Sequence, residues 1–146
     1  MTSRRIEERD VGAIVAAVYR QVAKTHERSK KRWTRYICAE SVLEEIFASE
    51  NAYIVGETYL VLFNIGTPWY APQGVLFLEE KLVLNIGGAA DFSVVPAFLE
   101  QKAEAENVQL TGVGTALAVS DRALCRVYSN YGFVPEVVTL IKETSP

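Results

Sequence analysis

The sequence is poor in the residues that build metal centres and disulfide frameworks. Its 146 residues include one histidine, His26, and two cysteines, Cys38 and Cys125. This inventory excludes zinc sites built on several histidines, and the two cysteines lack metal-ligand spacing. A Ser-His-Asp triad would have to use His26, which lies in a basic polar stretch. We therefore predict no metal site, and we interpret both cysteines as small core residues with free thiols, in preference to nucleophiles.

Long hydrophobic runs are also absent. No segment approaches the ~20 apolar residues of a membrane-spanning helix. The basic pair near the start, Arg4 and Arg5, has no apolar stretch after it and so does not form a secretory signal. With unpaired cysteines, this predicts a cytoplasmic protein without a membrane partner. The content of 49% hydrophobic and 23% charged residues indicates a soluble globular protein, and the length fits one domain over residues 1–146.

Positive charge is scarce outside the first quarter of the chain. Residues 1–35 carry ten Lys/Arg and four Asp/Glu, whereas residues 36–146 carry five and fourteen. The basic residues cluster from Lys24 to Arg35, beside Trp33 and Tyr36, a combination that could hold phosphates or nucleic acid. The alternative is a solvated helix end and loop, the more frequent meaning of a charge run. The acidic remainder favours the alternative and argues against a nucleic-acid-binding protein.

Hydrophobic periodicity predicts interleaved helices and strands along the whole chain. Asp10 and Ser120 are predicted helix N-caps, and Gly132 is a predicted left-handed C-cap. The run Glu79-Glu80-Lys81 forms either a turn between two strands or a bulge in one long strand. The predicted strands cover residues 3–7, 52–55, 58–63, 75–78, 82–86, 108–119 and 133–142, and the predicted helices cover 11–24, 39–49, 94–106 and 121–131. The order β-α-α-β-β-β-α-β-α-β predicts an α/β (α+β) fold with a mixed sheet, mostly antiparallel at its centre, flanked by helices.

A short pattern near the end of the chain narrows this fold class. An alanine, Ala123, is followed five residues later by Tyr128, and then by Gly132 and Phe133 before a strand. This pattern and the order of elements resemble the GNAT superfamily of N-acetyltransferases, whose last core helix ends in a similar way. The segment 4–10 is also similar to the family's first strand and helix cap, and the short chain resembles its phage-borne members. The order covers nearly the whole chain, whereas the pattern covers residues 123–133.

The resemblance implies a site for acetyl-CoA in a V-shaped gap between two central strands. Backbone amides at a helix N-terminus would hold the pyrophosphate, because unpaired N–H groups and the helix dipole favour anions. The implied cofactor-binding residues are Leu84, Asn85, Ile86, Gly87, Gly88, Ala89, Ala90 and Ser93. Two glycines fit a plain strand-to-helix turn equally well.

The loop departs from the family pattern, which is Arg or Gln, two residues, Gly, any residue, then Gly or Ala. Here Asp91, Ser93 and Val95 fall on the small positions, and no Arg or Gln precedes them. The carboxylate of Asp91 would repel a pyrophosphate unless it turned away to cap the helix.

The resemblance also implies candidate acid and base residues. Tyr128 corresponds to a tyrosine that protonates the departing thiolate, and a phenol of pKa about 10 suits that role. Glu79 and Glu80 are candidates for the general base, and on a strand only one of them would face the gap. His26 could serve if its segment folded over the site. The alternatives are a packing role for Tyr128 and a solvated turn for the two glutamates.

Two functions follow from these expectations. The first is an acyl-CoA-dependent N-acyltransferase that transfers an acetyl group directly to the amine of a small-molecule or protein acceptor. A basic acceptor side, residues 24–35, would favour acidic or phosphorylated acceptors. The second is a catalytically inactive GNAT-like binding or assembly module, for which a homodimer face or the aromatic loop tip at Trp69 and Tyr70 would be the working surface. That loop could equally be a lid folded onto the core.

Overall fold

The computed structural model describes residues 2–114 and 120–144. Within these ranges the chain forms five strands and four helices, and no helix there is long and apolar enough to cross a membrane. The elements are β1 (Ser3–Arg5), α1 (Val11–Arg28), α2 (Ala39–Ala48), β2 (Ala52–Val55), β3 (Tyr59–Gly66), β4 (Phe77–Asn85), α3 (Val94–Ala105), β5 (Leu110–Gly112) and α4 (Asp121–Ser129).

The five strands form one mixed sheet in the order β1-β2-β3-β4-β5. The first four are antiparallel to their neighbours, and β5 is parallel to β4. Helices α1 and α2 pack on one face through a core that includes Ile14, Ile46 and Leu60. Helix α3 packs on the other face through a second core that includes Phe63 and Phe98. The predicted fold class is therefore confirmed.

Strand β4 is one long strand with a bulge, which decides between the two alternatives for residues 79–81. Leu62 pairs with Leu82 and Phe63 pairs with Glu80, so Lys81 is an extra residue on β4. An extra residue reverses the alternation of side chains along a strand. Beyond the bulge, Leu82 joins the core under α1 and α2, whereas Leu78 before it joins the core under α3.

The same strand parts from β5 at the bulge. Strands β4 and β5 pair over three residues, Phe77–Glu79 against Leu110–Gly112. The rest of β4 continues along β3 as far as Asn85. Among the described residues, the second half of β4 has no pairing partner on its β5 side, and we refer to this unpaired edge beside Glu80 as the gap.

A cluster of charges fixes the N-terminal corner. The guanidinium of Arg4 donates to both carboxylate oxygens of Asp10, at 2.7 and 2.9 Å, and to both of Glu57. Asp10 is the N-cap residue of α1, as predicted, but its carboxylate makes no capping bond to the helix; it accepts the backbone N–H of Glu7 at 2.8 Å and closes the preceding turn. The hydrogen bond from Arg4 lowers the pKa of Asp10 to about 2.

The predicted hairpin between β2 and β3 and the cap of α4 are confirmed. Gly56 and Glu57 both have left-handed φ angles, 59° and 51°, in the turn. The Ser120 hydroxyl accepts the N–H of Ala123 at 3.2 Å, and Gly132 has a φ of 88°. Helix α1 continues to Arg28, beyond its predicted end.

The C-terminal strand predicted over residues 133–142 does not form. This segment has no regular secondary structure, and Leu140 is 91% exposed. High strand propensity stabilises a strand only where its side chains pack on a sheet. Strand β5, at the edge of the sheet, is only three residues long, and Pro135 removes one backbone donor from residues 133–142. Part of the other predicted strand, residues 115–119, lies outside the described residues.

The turn between β2 and β3 supports the loop that follows β4. Ile86 donates its N–H to the Thr58 carbonyl at 2.8 Å, and Ala90 donates its N–H to the Thr58 hydroxyl at 3.0 Å. Gly88 lies so close to the turn that an added Cβ would be 2.2 Å from Thr58 Oγ1 and 2.6 Å from the Glu57 carbonyl oxygen. The absence of a side chain at Gly88 is therefore a packing requirement.

We expect Gly88→Ala to lower the free energy of unfolding by about 1–3 kcal/mol, because backbone atoms of the turn would have to move. Gly12→Ala is the matched control, since nothing lies within 4 Å of a Cβ at this position near the start of α1. The control is expected to be neutral or to stabilise by about 0.5–1 kcal/mol. Urea midpoints of the two variants test this, and equal midpoints would contradict it.

Candidate active site

Glu80 lies at the point where β4 and β5 separate. Its side chain is on the α3 side of the sheet and 7% exposed. The carboxylate accepts the backbone N–H of Gly114, which follows β5, at 3.4 Å. Burial raises the pKa of Glu80 to about 7, the Glu79 charge adds to the rise, and the Gly114 hydrogen bond opposes it. A carboxyl group that titrates near neutral pH can both accept and release a proton there.

Tyr128 enters the same region from α4. Its ring makes edge contacts with Phe92, at 5.5 Å between centroids, and with Phe133, at 5.2 Å. Burial raises the pKa of the Tyr128 phenol, and the nearby Glu80 charge raises it further. The phenol therefore stays protonated at neutral pH and can donate a hydrogen bond or a proton. The structure thus brings together two of the three predicted catalytic residues.

The third predicted catalytic residue and the alternative base lie elsewhere. Glu79 is exposed and occupies the alternate position along β4, where it pairs with Asn64 and Gly112. His26 is also exposed, and its Nε2 lies 3.0 Å from the Ile37 carbonyl oxygen. Glu80 is consequently the carboxylate that the strand turns toward the gap.

The loop from Ile86 to Ser93 connects this gap to the start of α3. Three of its N–H groups bind side-chain oxygens: Gly87 donates to Asn85 at 2.8 Å, Ala90 to Thr58 at 3.0 Å, and Ser93 to Asp91 at 2.8 Å. The hydrogen bonds from Ser93 lower the pKa of Asp91. The carboxylate of Asp91 thus binds an N–H group at the beginning of α3, as expected if it turned to cap the helix.

The predicted cofactor-binding residues divide into two sets. Leu84 is buried and Ile86 half-buried in the core under α1 and α2. Exposed backbone is found at Gly87, Gly88 and Ala89, and Gly87 has a φ of 120° that favours glycine. The part of the loop that an anion could reach is therefore residues 87–89.

Sequence reasoning missed Arg20, which lies beside this loop. Its Nη2 donates to the Asn85 carbonyl oxygen at 3.5 Å from α1. This places a positive charge at the end of β4, where the loop itself offers none. No local pattern marks Arg20, because its partner is 65 positions away in the sequence.

A cavity of about 350 Å³ lies on the opposite face of the sheet, next to the same bulge. Its walls come from α2, from residues 36–38, and from β3 and β4. At its edge, Lys81 Nζ binds Glu45 Oε1 at 2.8 Å.

Cys38 is part of the wall, and both Cys38 and Cys125 are exposed, so the prediction that they are core residues is wrong. Cys38 directly precedes α2, and Cys125 lies on an exposed side of α4.

The basic segment is partly paired with acidic residues, and the aromatic loop is exposed. Lys31 binds Asp121 at the start of α4, and Arg35 binds Glu143 at 2.8 Å, so two of the clustered cations pair with acidic residues of the C-terminal region. Trp69 is 95% exposed and contacts the Tyr70 ring edge-on at 5.6 Å. The aromatic loop is therefore not a lid folded onto the core.

Among residues 2–114 and 120–144, no cluster of three or more His, Cys, Asp or Glu could hold a metal ion.

Solved structures with this fold include two proteins that are named as acetyltransferases. A Clostridium acetobutylicum protein, named as an acetyltransferase and solved with acetyl-CoA, is 13% identical with a TM-score of 0.57, covering 97% of this chain and 95% of its own. An Agrobacterium tumefaciens protein, also named as an acetyltransferase, is 15% identical with a TM-score of 0.60, covering 98% of this chain and 100% of its own. A Bacillus halodurans protein is 12% identical with a TM-score of 0.61, covering 99% and 100%. No protein-family model and no curated protein matches the chain. The fold is therefore GNAT-like, and at these identities the likeness concerns the fold alone.

The raised pKa of Glu80 predicts a distinctive dependence of stability on pH. The folded chain binds this proton more tightly than the unfolded chain, so wild-type stability falls as pH rises from about 4.5 to about 7. Glu80→Gln cannot ionise and should be more stable than wild type above this range, by about 3 kcal/mol, with little difference below it. The measurement is urea unfolding on either side of the range. Glu79→Gln is the matched control, and a Glu80→Gln profile parallel to it would exclude a buried titrating carboxyl.

Proposed function

We propose that the protein is an acyl-CoA-dependent N-acetyltransferase that transfers an acetyl group directly to an amine. The observation that carries this proposal is the buried pair of Glu80 and Tyr128 at the separation of β4 and β5. A raised carboxyl pKa and a protonated phenol are the two groups that aminolysis of a thioester requires at neutral pH. A plain packing role for this region would be served better by apolar side chains.

Glu80 and Tyr128 carry out the two proton transfers of the reaction. The amine nitrogen attacks the thioester carbonyl carbon, forming the C–N bond, and the C–S bond breaks to release the thiolate. Glu80 takes the proton that the amine loses, and the Tyr128 hydroxyl gives a proton to the thiolate sulfur. A proton relayed from the Glu80 carboxyl to the Tyr128 phenolate, directly or through water, then restores both groups.

The donor would bind along the gap with its diphosphate at residues 87–89. Exposed backbone there can approach an anion closely, since Gly87 and Gly88 carry no side chain. Asp91 lowers the affinity of this region for phosphate, and Arg20 supplies the compensating positive charge. The absent Arg or Gln of the family pattern is thus replaced, in this proposal, by a residue of α1.

Calorimetric titration with acetyl-CoA, with free CoA in parallel, tests donor binding. We expect a micromolar dissociation constant, about −8 kcal/mol. Arg20→Ala should weaken binding about fivefold to tenfold and flatten its salt dependence, because one exposed charge contact is lost. Arg28→Ala, an exposed arginine at the end of α1, is the control and should bind as wild type does. An absence of heat at millimolar ligand would refute donor binding and leave the inactive-module alternative.

Thiol release from acetyl-CoA in a mixture of primary amines tests the chemistry. Tyr128→Phe keeps the ring contacts with Phe92 and Phe133 and should lower kcat about tenfold to a hundredfold without changing acetyl-CoA affinity. Tyr131→Phe, an exposed tyrosine just beyond the same helix, is the matched control. If both variants turn over like wild type, Tyr128 is not the acid of the reaction.

A further inference from the structure

The cavity beside the bulge, on the face covered by α2, has the features of a binding site for a small zwitterion. We infer that it takes an α-amino acid with an apolar side chain, and that this amino acid is the acetyl acceptor. The acceptor assignment rests on the proposed function, whereas the binding inference stands on the cavity itself.

The position of the cavity joins it to the candidate active site. Glu80, on the α3 side, and Lys81 and Leu82, at the cavity, are consecutive residues of β4. Glu80 and Lys81 lie on opposite faces, as neighbours in a strand do, and the bulge adds Leu82 to the cavity side. The cavity wall therefore continues along β4 directly into the residue that carries the buried carboxyl.

The interior of the cavity suits an apolar group of modest size. Ile37, Val42, Leu62 and Leu82 line it, with the ring of Tyr36 at one side. A volume of about 350 Å³ is at the lower end of the range for sites of small molecules. It has room for one amino acid, and it is too small to enclose a folded segment of a protein.

The charges at the cavity edge come in one pair of opposite sign. Lys81 Nζ and Glu45 Oε1 are 2.8 Å apart, and their side chains are 40% and 56% exposed. An ion pair as exposed as this contributes about 0–1 kcal/mol, so a ligand can separate it at little cost. An α-carboxylate facing Lys81 and an α-amino group facing Glu45 would replace both halves of the pair.

Other acceptor classes match this edge less well. A polyamine would meet Lys81 as well as Glu45, and a phosphorylated acceptor would meet Glu45 as well as Lys81. The basic segment adds little for a phosphate, because Arg35 binds Glu143 and lies over the Tyr36 ring. If Glu45 paired with a simple amine that has an apolar body, Lys81 would lose its counter-charge.

Direct binding to the 146-residue chain, without acetyl-CoA, is the first test. The probes are L-phenylalanine, phenethylamine, which lacks the carboxylate, and 3-phenylpropanoate, which lacks the amine, each titrated by calorimetry. We expect L-phenylalanine to bind at least about tenfold more tightly than either analogue, because only it satisfies both charges. L-phenylalanine binding no better than phenethylamine would overturn the inference.

Charge-removing variants locate the interaction. Lys81→Met should weaken L-phenylalanine about tenfold and should not weaken phenethylamine, because Glu45 is then free for the amine, whereas Glu45→Gln should weaken both. Glu44→Gln, an exposed neighbour on α2 that does not line the cavity, is the matched control. Equal losses of L-phenylalanine affinity in Glu44→Gln and Glu45→Gln would reject the site.

Two outcomes separate this inference from the proposed function. Acetyl-CoA binding and turnover of other amines, with no amino-acid binding, would overturn the acceptor class and leave the transferase intact. Amino-acid binding that depends on Lys81, with no acetyl-CoA binding, would support the zwitterion site and overturn both the transferase and the acceptor role. Turnover that yields N-acetyl-phenylalanine, identified by mass spectrometry, would support both.

Discussion

The extra residue at Lys81 is the constraint on which the arrangement of the molecule depends. A regular β4 would place Glu80 and Leu82 on the same face and would put Lys81 on the other. The bulge instead leaves Glu80 with the α3 core and moves Leu82 into the core under α1 and α2. The same irregularity coincides with the end of pairing to β5. The inserted residue thus lets one strand supply a buried carboxyl on the α3 side and, two residues later, a cavity wall on the α2 side.

Burying Glu80 is a stability disadvantage that the surroundings only partly relieve. An ionised carboxylate away from water is costly, and one long hydrogen bond from Gly114 offsets a small share of the cost. The phenol of Tyr128 and the rings of Phe92 and Phe133 exclude water from the same region. Perturbed pKa values cluster at functional sites, so the proposed reaction centre rests on this pair more than on the glycine loop.

Sequence reasoning succeeded where local chemistry decides the outcome. Gly132 as a left-handed cap, Ser120 as an N-cap and the hairpin at Gly56 are each fixed by neighbours within a few residues. The choice between Glu79 and Glu80 depended on a register shift against β3, and the contact of Arg20 joins residues 65 positions apart, so neither has a local signal. The strand predicted over residues 133–142 does not form, although its local strand propensity is high, because its side chains do not pack on a sheet.

The loop after β4 is fixed by the fold, whether or not a phosphate binds. Gly88 packs against the hairpin turn, so its identity follows from packing. At the start of α3, the Asp91 carboxylate binds the N–H of Ser93, and the N–H groups of Val94 and Val95 bind backbone carbonyls. These donors are already bonded, so the proposed diphosphate site has to use the exposed backbone of residues 87–89 and the charge of Arg20 on α1. In the proposal, the two glycines give an anion access to the backbone, and the balance between Arg20 and Asp91 sets how strongly that anion is attracted.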